Sequence, residues 1–351
     1  MSRLSVAAAA TALALALVAC GHSSSPPPPT SASSEAAPIT PVAAPDGPGK
    51  VLDASFESKA LGVVKKYKVY LPAGYDALTA RRYPVVYMLH GLGGNETNWV
   101  GGGKLDAVAD GLHLQAIVVM PDGDDAFYAN AATSPDLKAC LAAGTPPFSD
   151  DERPEDFCVA KRSYEDYIAR DLVAHVDATY RTIALRRARG IGGLSMGGFG
   201  ALQLAMRHKD LFAATASHSG VHSLFYEGPH PYEAGKVKLH EDLATWGRGL
   251  GMIGEHIRGV FGAELANWRA HDPTTLAQQL ENGELAIYLD CGTEDIFQFH
   301  DSGQYLHDLL TARGITHEWY LGPGKHDFSF WGERIDDSLA FFTRSLAPAA
   351  P

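Results

Sequence analysis

From residue 51 onward, strand-like and helix-like stretches alternate along the chain, which predicts an α/β fold with a mostly parallel central sheet and helices on both faces. Three observations carry that prediction. Continuous apolar runs such as "PVVYMLH" (84–90) and "AIVVMPDG" (116–123) suit strands buried on both faces, as in a parallel sheet. Amphipathic stretches fall between such runs: in "YEDYIARDLVAHVDATY" (164–180), Tyr167, Ile168, Leu172, Val176 and Tyr180 lie near one helical face. The 351 residues, 46% hydrophobic and 20% charged, hold no internal repeat and suffice for one large core.

Taken in order, "VLDASFES" (51–58) and "KKYKVYLP" (65–72) alternate polar and apolar residues and read as antiparallel edge strands. The two apolar runs and the helix at 164–180 come next. Then follow a strand "RARGIGGLS" (187–195), a helix "MGGFGALQLAMRH" (196–208) and a strand "FAATASHSG" (212–220). A long excursion from 221 to 283 precedes a strand "ELAIYLDCG" (284–292), a helix "QYLHDLLTARG" (304–314), a strand "HEWYLG" (317–322) and a closing helix "DDSLAFFTRSL" (336–346). The folded body is therefore expected over 51–351.

The first residues bear on location. Arg3 precedes an apolar run, Val6 to Val18, that is too short to span a bilayer. The stretch Leu17-Val18-Ala19-Cys20 resembles a bacterial lipobox, which implies a signal peptide over 1–19 and a lipid on Cys20 that anchors the protein to the membrane in the cell envelope, outside the cytoplasm. Residues 20–50 are Ser, Pro and Ala with few large apolar side chains, so they read as a disordered tether. Cys140 and Cys158 share one polar, Pro-rich insertion and are expected to form a disulfide, whereas Cys291 follows an apolar strand and reads as a buried free thiol. With 41 acidic against 29 basic residues, a net charge of -12 and no basic block, nucleic acid is excluded as a partner.

Chemistry concentrates in "GLSMG", residues 193–197. This G-x-S-x-G, between a strand and a helix, makes Ser195 the nucleophile of a sharp elbow whose glycines leave room for crossing backbone. The loop "HGLGG" (90–94) ends another buried strand, and its free N–H groups suit an oxyanion hole, with Leu92 as one donor and Met196 as the other. A base and an acid must follow downstream. His326 in "LGPGKHDFSFW" (321–331) is the expected base, with His218, His222 and His300 as competitors; Asp295 in "YLDCGTEDIF" (288–297) is the expected acid, ahead of Asp290 and Glu294. Asp122 in "DGDD" reads as turn-forming or substrate-side. Trp99, Phe127 and Tyr128 are candidate substrate-pocket residues. No metal-ligand, phosphate-loop or dinucleotide pattern occurs, so neither a metal nor a cofactor is expected.

At these residues the chain resembles the esterase D/putative esterase family of α/β-hydrolases, which includes S-formylglutathione hydrolases, feruloyl esterase modules and secreted mycolyltransferases. The matching pieces are "HGLGGNETNW", "VVMPDGDDAFY", "YEDYI", "GGLSMGGFGA", "HDPTTL", "DCGTEDIF" and "GKHDFSFW". The resemblance implies the α/β-hydrolase fold, nucleophile Ser195, acid Asp295, base His326 and oxyanion donors Leu92 and Met196. It implies a serine carboxylic ester hydrolase acting through an acyl-enzyme on a small-molecule, carbohydrate or lipid ester. The alternatives are acyl transfer to a sugar or glycerol and a non-catalytic surface-binding lipoprotein.

Overall fold

The computed structural model describes residues 45–350 apart from 134–135, 145–147, 149–152 and 249. Residues 1–19, Cys20 and most of the expected tether lie outside the described residues. The last tether residues already lie on the body: the Gly49 N–H donates to Asp110 Oδ1 at 2.7 Å, and Lys50 opens the first strand.

The strands are β1 (Lys50–Ser58), β2 (Val63–Leu71), β3 (Val85–Leu89), β4 (Ile117–Pro121), β5 (Arg189–Leu194), β6 (Ala214–His218), β7 (Tyr226–Gly228), β8 (Lys238–Leu239), β9 (Ala286–Gly292) and β10 (Glu318–Gly322). Eight of them form one sheet in the order β1-β2-β4-β3-β5-β6-β9-β10, while β7 and β8 pair separately. β1 with β2 and β2 with β4 are antiparallel; every other pairing in the sheet is parallel. Only β1 of the two expected edge strands lies at an edge, because β2 is hydrogen-bonded on its far side to β4.

The apolar runs behave as strands with two buried faces should. Val85, Tyr87 and Leu89 enter one core cluster and Val86 and Met88 the other, and Ile117 and Val119 part from Val118 and Met120 in the same way. Full burial of each such side chain contributes roughly 1.5–3 kcal/mol against the entropy of ordering the chain. The helix Met196–Arg207 covers one face, and Leu105–Gly111 with the long closing helix Phe328–Ser345 cover the other. Within 164–180, a π-helical stretch, Tyr167–Leu172, runs into the α-helix Val173–Thr179. The excursion holds β7, β8 and the helices Gly251–Phe261, Leu265–His271 and Pro273–Ala277. Among the described residues no helix is long and apolar enough to cross a membrane.

Candidate active site

The parallel strands bring their carboxyl ends to one edge of the sheet, and the chemistry collects there. After β5 the chain turns sharply at Ser195, whose backbone sits at φ 53°, ψ -118°, a conformation that costs a non-glycine residue about 1–3 kcal/mol. The surroundings enforce it. A Cβ on Gly193 would lie 2.3 Å from the Gly197 carbonyl oxygen, and one on Gly197 would lie 2.3 Å from the Leu89 oxygen and 2.5 Å from the His90 oxygen. Only glycine allows strand, elbow and helix to approach this closely. The Ser195 N–H donates to the His218 carbonyl at 2.9 Å, and Met196 opens the helix, so its own N–H has no acceptor within that helix.

Two loops from later strands meet the serine. Asp295 follows β9 and His326 follows β10. His326 Nε2 stands 2.8 Å from Ser195 Oγ, and Nδ1 stands 2.6 Å from Asp295 Oδ2. Because a carboxylate only accepts, the proton belongs on Nδ1, which leaves Nε2 free to take the serine proton; the tautomer is assigned from these partners. The other carboxylate oxygen, Oδ1, accepts the Phe297 N–H at 2.8 Å, and the Cys291 thiol lies 3.6 Å from Oδ2. Burial, with Asp295 beside it, pushes the Cys291 thiol well up, so it stays a protonated donor. Asp295 is fully enclosed, whereas the imidazole keeps a narrow opening.

The competing residues are engaged elsewhere. His218 Nδ1 pairs with Asp290 Oδ2 at 2.7 Å, and both are wholly buried. His222 is buried near Ser217, and burial pulls its pKa down to about 4, so it is neutral. His300 lies beside Asp301, and Glu294 is exposed.

The loop at 90–94 abuts the elbow: a Cβ on Gly91 would lie 3.3 Å from Ser195 Cβ. His90 donates from Nδ1 to the Gly91 oxygen at 2.8 Å and accepts the Gly123 N–H on Nε2 at 2.8 Å. The Gly93 N–H is tied to Asp125 Oδ1 at 2.7 Å, so Leu92 lies between two fixed residues. Behind it Lys65 is buried between Asp122 and Asp124, 2.7 and 2.6 Å from their oxygens. Burial alone would raise the Asp122 carboxyl, but Lys65 holds it well below the usual carboxylate range. Asp122 is thus a structural ion partner, not a residue facing substrate. Among the described residues no group of three or more His, Cys, Asp or Glu side chains is arranged to hold a metal ion.

A family model described as "Putative esterase" matches residues 58–342. The chain belongs to that esterase family. An esterase of Mycobacterium tuberculosis is 30% identical over 287 residues, covering 78% of this chain and 55% of that protein. The chain thus spans about half the length of the curated relatives it matches first. Among solved structures, a ferulic acid esterase superimposes with a TM-score of 0.61 at 20% identity, covering 86% of this chain and all of that one. A fluorophosphonate-binding serine hydrolase of Staphylococcus aureus gives 0.62 at 20% identity, covering 84% and 99%. These likenesses, with the strand order above, make the fold that of the α/β-hydrolases.

Within this esterase-family chain, the three aromatic residues singled out from the sequence do not line an opening. Trp99, Phe127 and Tyr128 are 1%, 2% and 0% exposed. Trp99 donates to the Leu89 oxygen, Tyr128 to the His90 oxygen, and Phe127 packs on Phe199 and Phe261, so all three support the site from beneath. The rings that do surround the imidazole are Phe297, Trp331 and Phe299, with centroids 4.9, 5.0 and 5.5 Å away. Their signal was present in the aromatic residues flanking Asp295 and His326. The insertion carries the Cys140–Cys158 disulfide, with Cα atoms 5.8 Å apart, and Cys291 is free and buried.

Proposed function

We propose that the protein is an exported serine ester hydrolase in which Ser195 is the nucleophile, His326 the base and Asp295 the orienting acid. One observation carries the reading: a serine held in a strained elbow with its hydroxyl 2.8 Å from an imidazole nitrogen whose ring partner is tied to an enclosed carboxylate. In this mechanism His326 takes the proton as Ser195 Oγ attacks the ester carbonyl. The N–H groups of Leu92 and Met196 hold the oxyanion. Collapse breaks the bond to the leaving oxygen, which receives the proton from Nε2, and the acyl-enzyme remains. Water, activated by the same imidazole, then releases the acid. Membership of the esterase family and a relative named an acetyl esterase support carboxylic esters as the substrate class.

The test is labelling by a fluorophosphonate probe together with hydrolysis of a panel of p-nitrophenyl and feruloyl esters. Both should be lost in Ser195→Ala, with turnover down several orders of magnitude. Labelling and turnover that survive the substitution would overturn the assignment, and a folded wild type that does neither would leave only a binding role. Products formed in the presence of glycerol or a sugar distinguish acyl transfer from hydrolysis. The location belongs to the same proposal: the lipobox-like stretch ending at Cys20 and a disulfide in the body both fit an anchored protein in an oxidising compartment. Cys20→Ala should shift the protein from the membrane to the soluble fraction, and an unchanged distribution would refute the anchor.

A further inference from the structure

Asp295 sits at the start of a tight turn. The Gln298 N–H donates to the Asp295 oxygen at 3.0 Å, which places Ile296 and Phe297 at the two central positions. Turn tips favour Gly, Asn, Asp, Pro and Ser, for reasons of backbone freedom and local hydrogen bonding. Here they carry two large apolar side chains, 78% and 41% exposed. Such a break with local preference, on the loop that holds the acid, marks a functional constraint rather than a packing one.

Their position identifies what they meet. For the tetrahedral intermediate to collapse, the leaving oxygen must come within hydrogen-bond reach of His326 Nε2, about 3 Å, so the alcohol's substituent lies along whatever borders the imidazole. The carbonyl oxygen points the other way, toward the 90–94 loop and Met196. Of the rings around His326, Trp331 is buried and donates to Ser219 Oγ at 3.1 Å, so it closes the inner side. Phe297 and Phe299 stack on one another with centroids 5.4 Å apart and form the outer side. Phe299 is half-buried, and Phe297 with Ile296 continues the apolar surface into solvent.

We infer that Ile296, Phe297 and Phe299 form a platform for the alcohol half of the ester, and that the preferred substrates carry an apolar or aromatic leaving alcohol. This rests on the esterase reading above and extends it to substrate class. The platform acts in acylation, while the alcohol is still bound; in deacylation the alcohol has gone.

The experiment compares kcat/KM for two esters of whichever acyl group the panel turns over fastest, an ethyl ester and a 3-phenylpropyl ester. Both are alkyl esters, so their leaving groups differ chiefly in apolar reach. In wild type the phenylpropyl ester should be preferred. The preference ratio should fall about tenfold in Ile296→Ala and in Phe297→Ala, a step of the size that one lost apolar contact produces, and Ile296→Leu should restore it. Disturbance of the imidazole alone would lower both esters together and leave the ratio unchanged, which overturns the proposal, as would a wild type with no preference. Turnover of both esters that survives Ser195→Ala would overturn the esterase reading instead.

Discussion

Replacing Asp295 by Asn tests the triad through the hydrogen bonds that the carboxylate now makes. Oδ1 accepts the Phe297 N–H at 2.8 Å and Oδ2 faces His326 Nδ1 at 2.6 Å, so the two oxygens are not equivalent. An amide placed with its oxygen toward Phe297 presents its NH₂ group to Nδ1. His326 must then carry its proton on Nε2, where it points at Ser195 and cannot accept the hydroxyl proton. Turning the amide over restores the tautomer but sets the NH₂ group against the Phe297 N–H. Two donors then face one another, but the Phe297 N–H is only part-buried, so the competent arrangement lies about 1–3 kcal/mol above the other. At about 1.4 kcal/mol per factor of ten, that is roughly 5-fold to 150-fold, and losing the charge that stabilises imidazolium adds to it, toward the ~10⁴-fold that a wrong tautomer costs a serine triad. We expect kcat on a p-nitrophenyl ester to fall about 10³- to 10⁴-fold, with the thermal midpoint held within a few degrees of wild type. A loss under tenfold, or an equal loss from Asp290→Asn, would refute the assignment of the acid.

Two further outcomes concern stability. Cys140 and Cys158 are 18 positions apart, and the chain-entropy model assigns a loop of that size about 3 kcal/mol, so Cys140→Ala/Cys158→Ala should unfold at clearly lower urea; an unchanged midpoint would show that the bridge constrains nothing. Burial alone would raise the Glu165 carboxyl, but His208 at 2.8 Å, His271 at 3.7 Å and Arg207 at 3.0 Å hold it well below the usual carboxylate range. Its folded pKa lies under the unfolded value of about 4.3, so its contribution is present above that pH and is lost as pH falls below it. Urea unfolding at pH 7 and about pH 3 should show a smaller acid loss in Glu165→Gln than in wild type, and equal losses would remove Glu165 from the acid response.

What could be read in the sequence follows from what each signal depends on. The parallel half of the sheet was legible because Val85–Leu89 and Ile117–Pro121 are apolar at every position, and only a strand covered on both faces requires that. The elbow was legible because its glycines answer a local steric demand. Helix starts were less legible. The closing helix begins at Phe328, not 336, because Asp327 caps it by accepting the Ser329 N–H at 2.9 Å, and the helix before it begins at Phe299, not 304. In the helix from Phe299 the buried residues of the first turns are Asp301, Ser302 and Gly303, so its apolar period starts only at Leu306, whereas the closing helix already buries Phe330 and Trp331 and its start was hidden by the polar residues between them and Ile335.

The same distinction explains the exchange of pocket residues. Trp99, Phe127 and Tyr128 and the rings around His326 are chemically alike, and no local pattern separates a ring beneath a loop from a ring beside its opening. That difference is set by long-range packing. Tyr128 ends in the core, where its hydroxyl donates to the His90 oxygen under the loop at 90–94 while its ring fills space against Gly123 and Gly200. Phe297 stays partly at the surface, 41% exposed, with its backbone N–H on Asp295 and its ring against His326 and Phe299. Backbone and side chain of Phe297 thus have separate roles, the N–H on Asp295 and the ring beside His326, so a side-chain substitution tests the proposed choice of alcohol while the backbone contact to the proposed acid is kept.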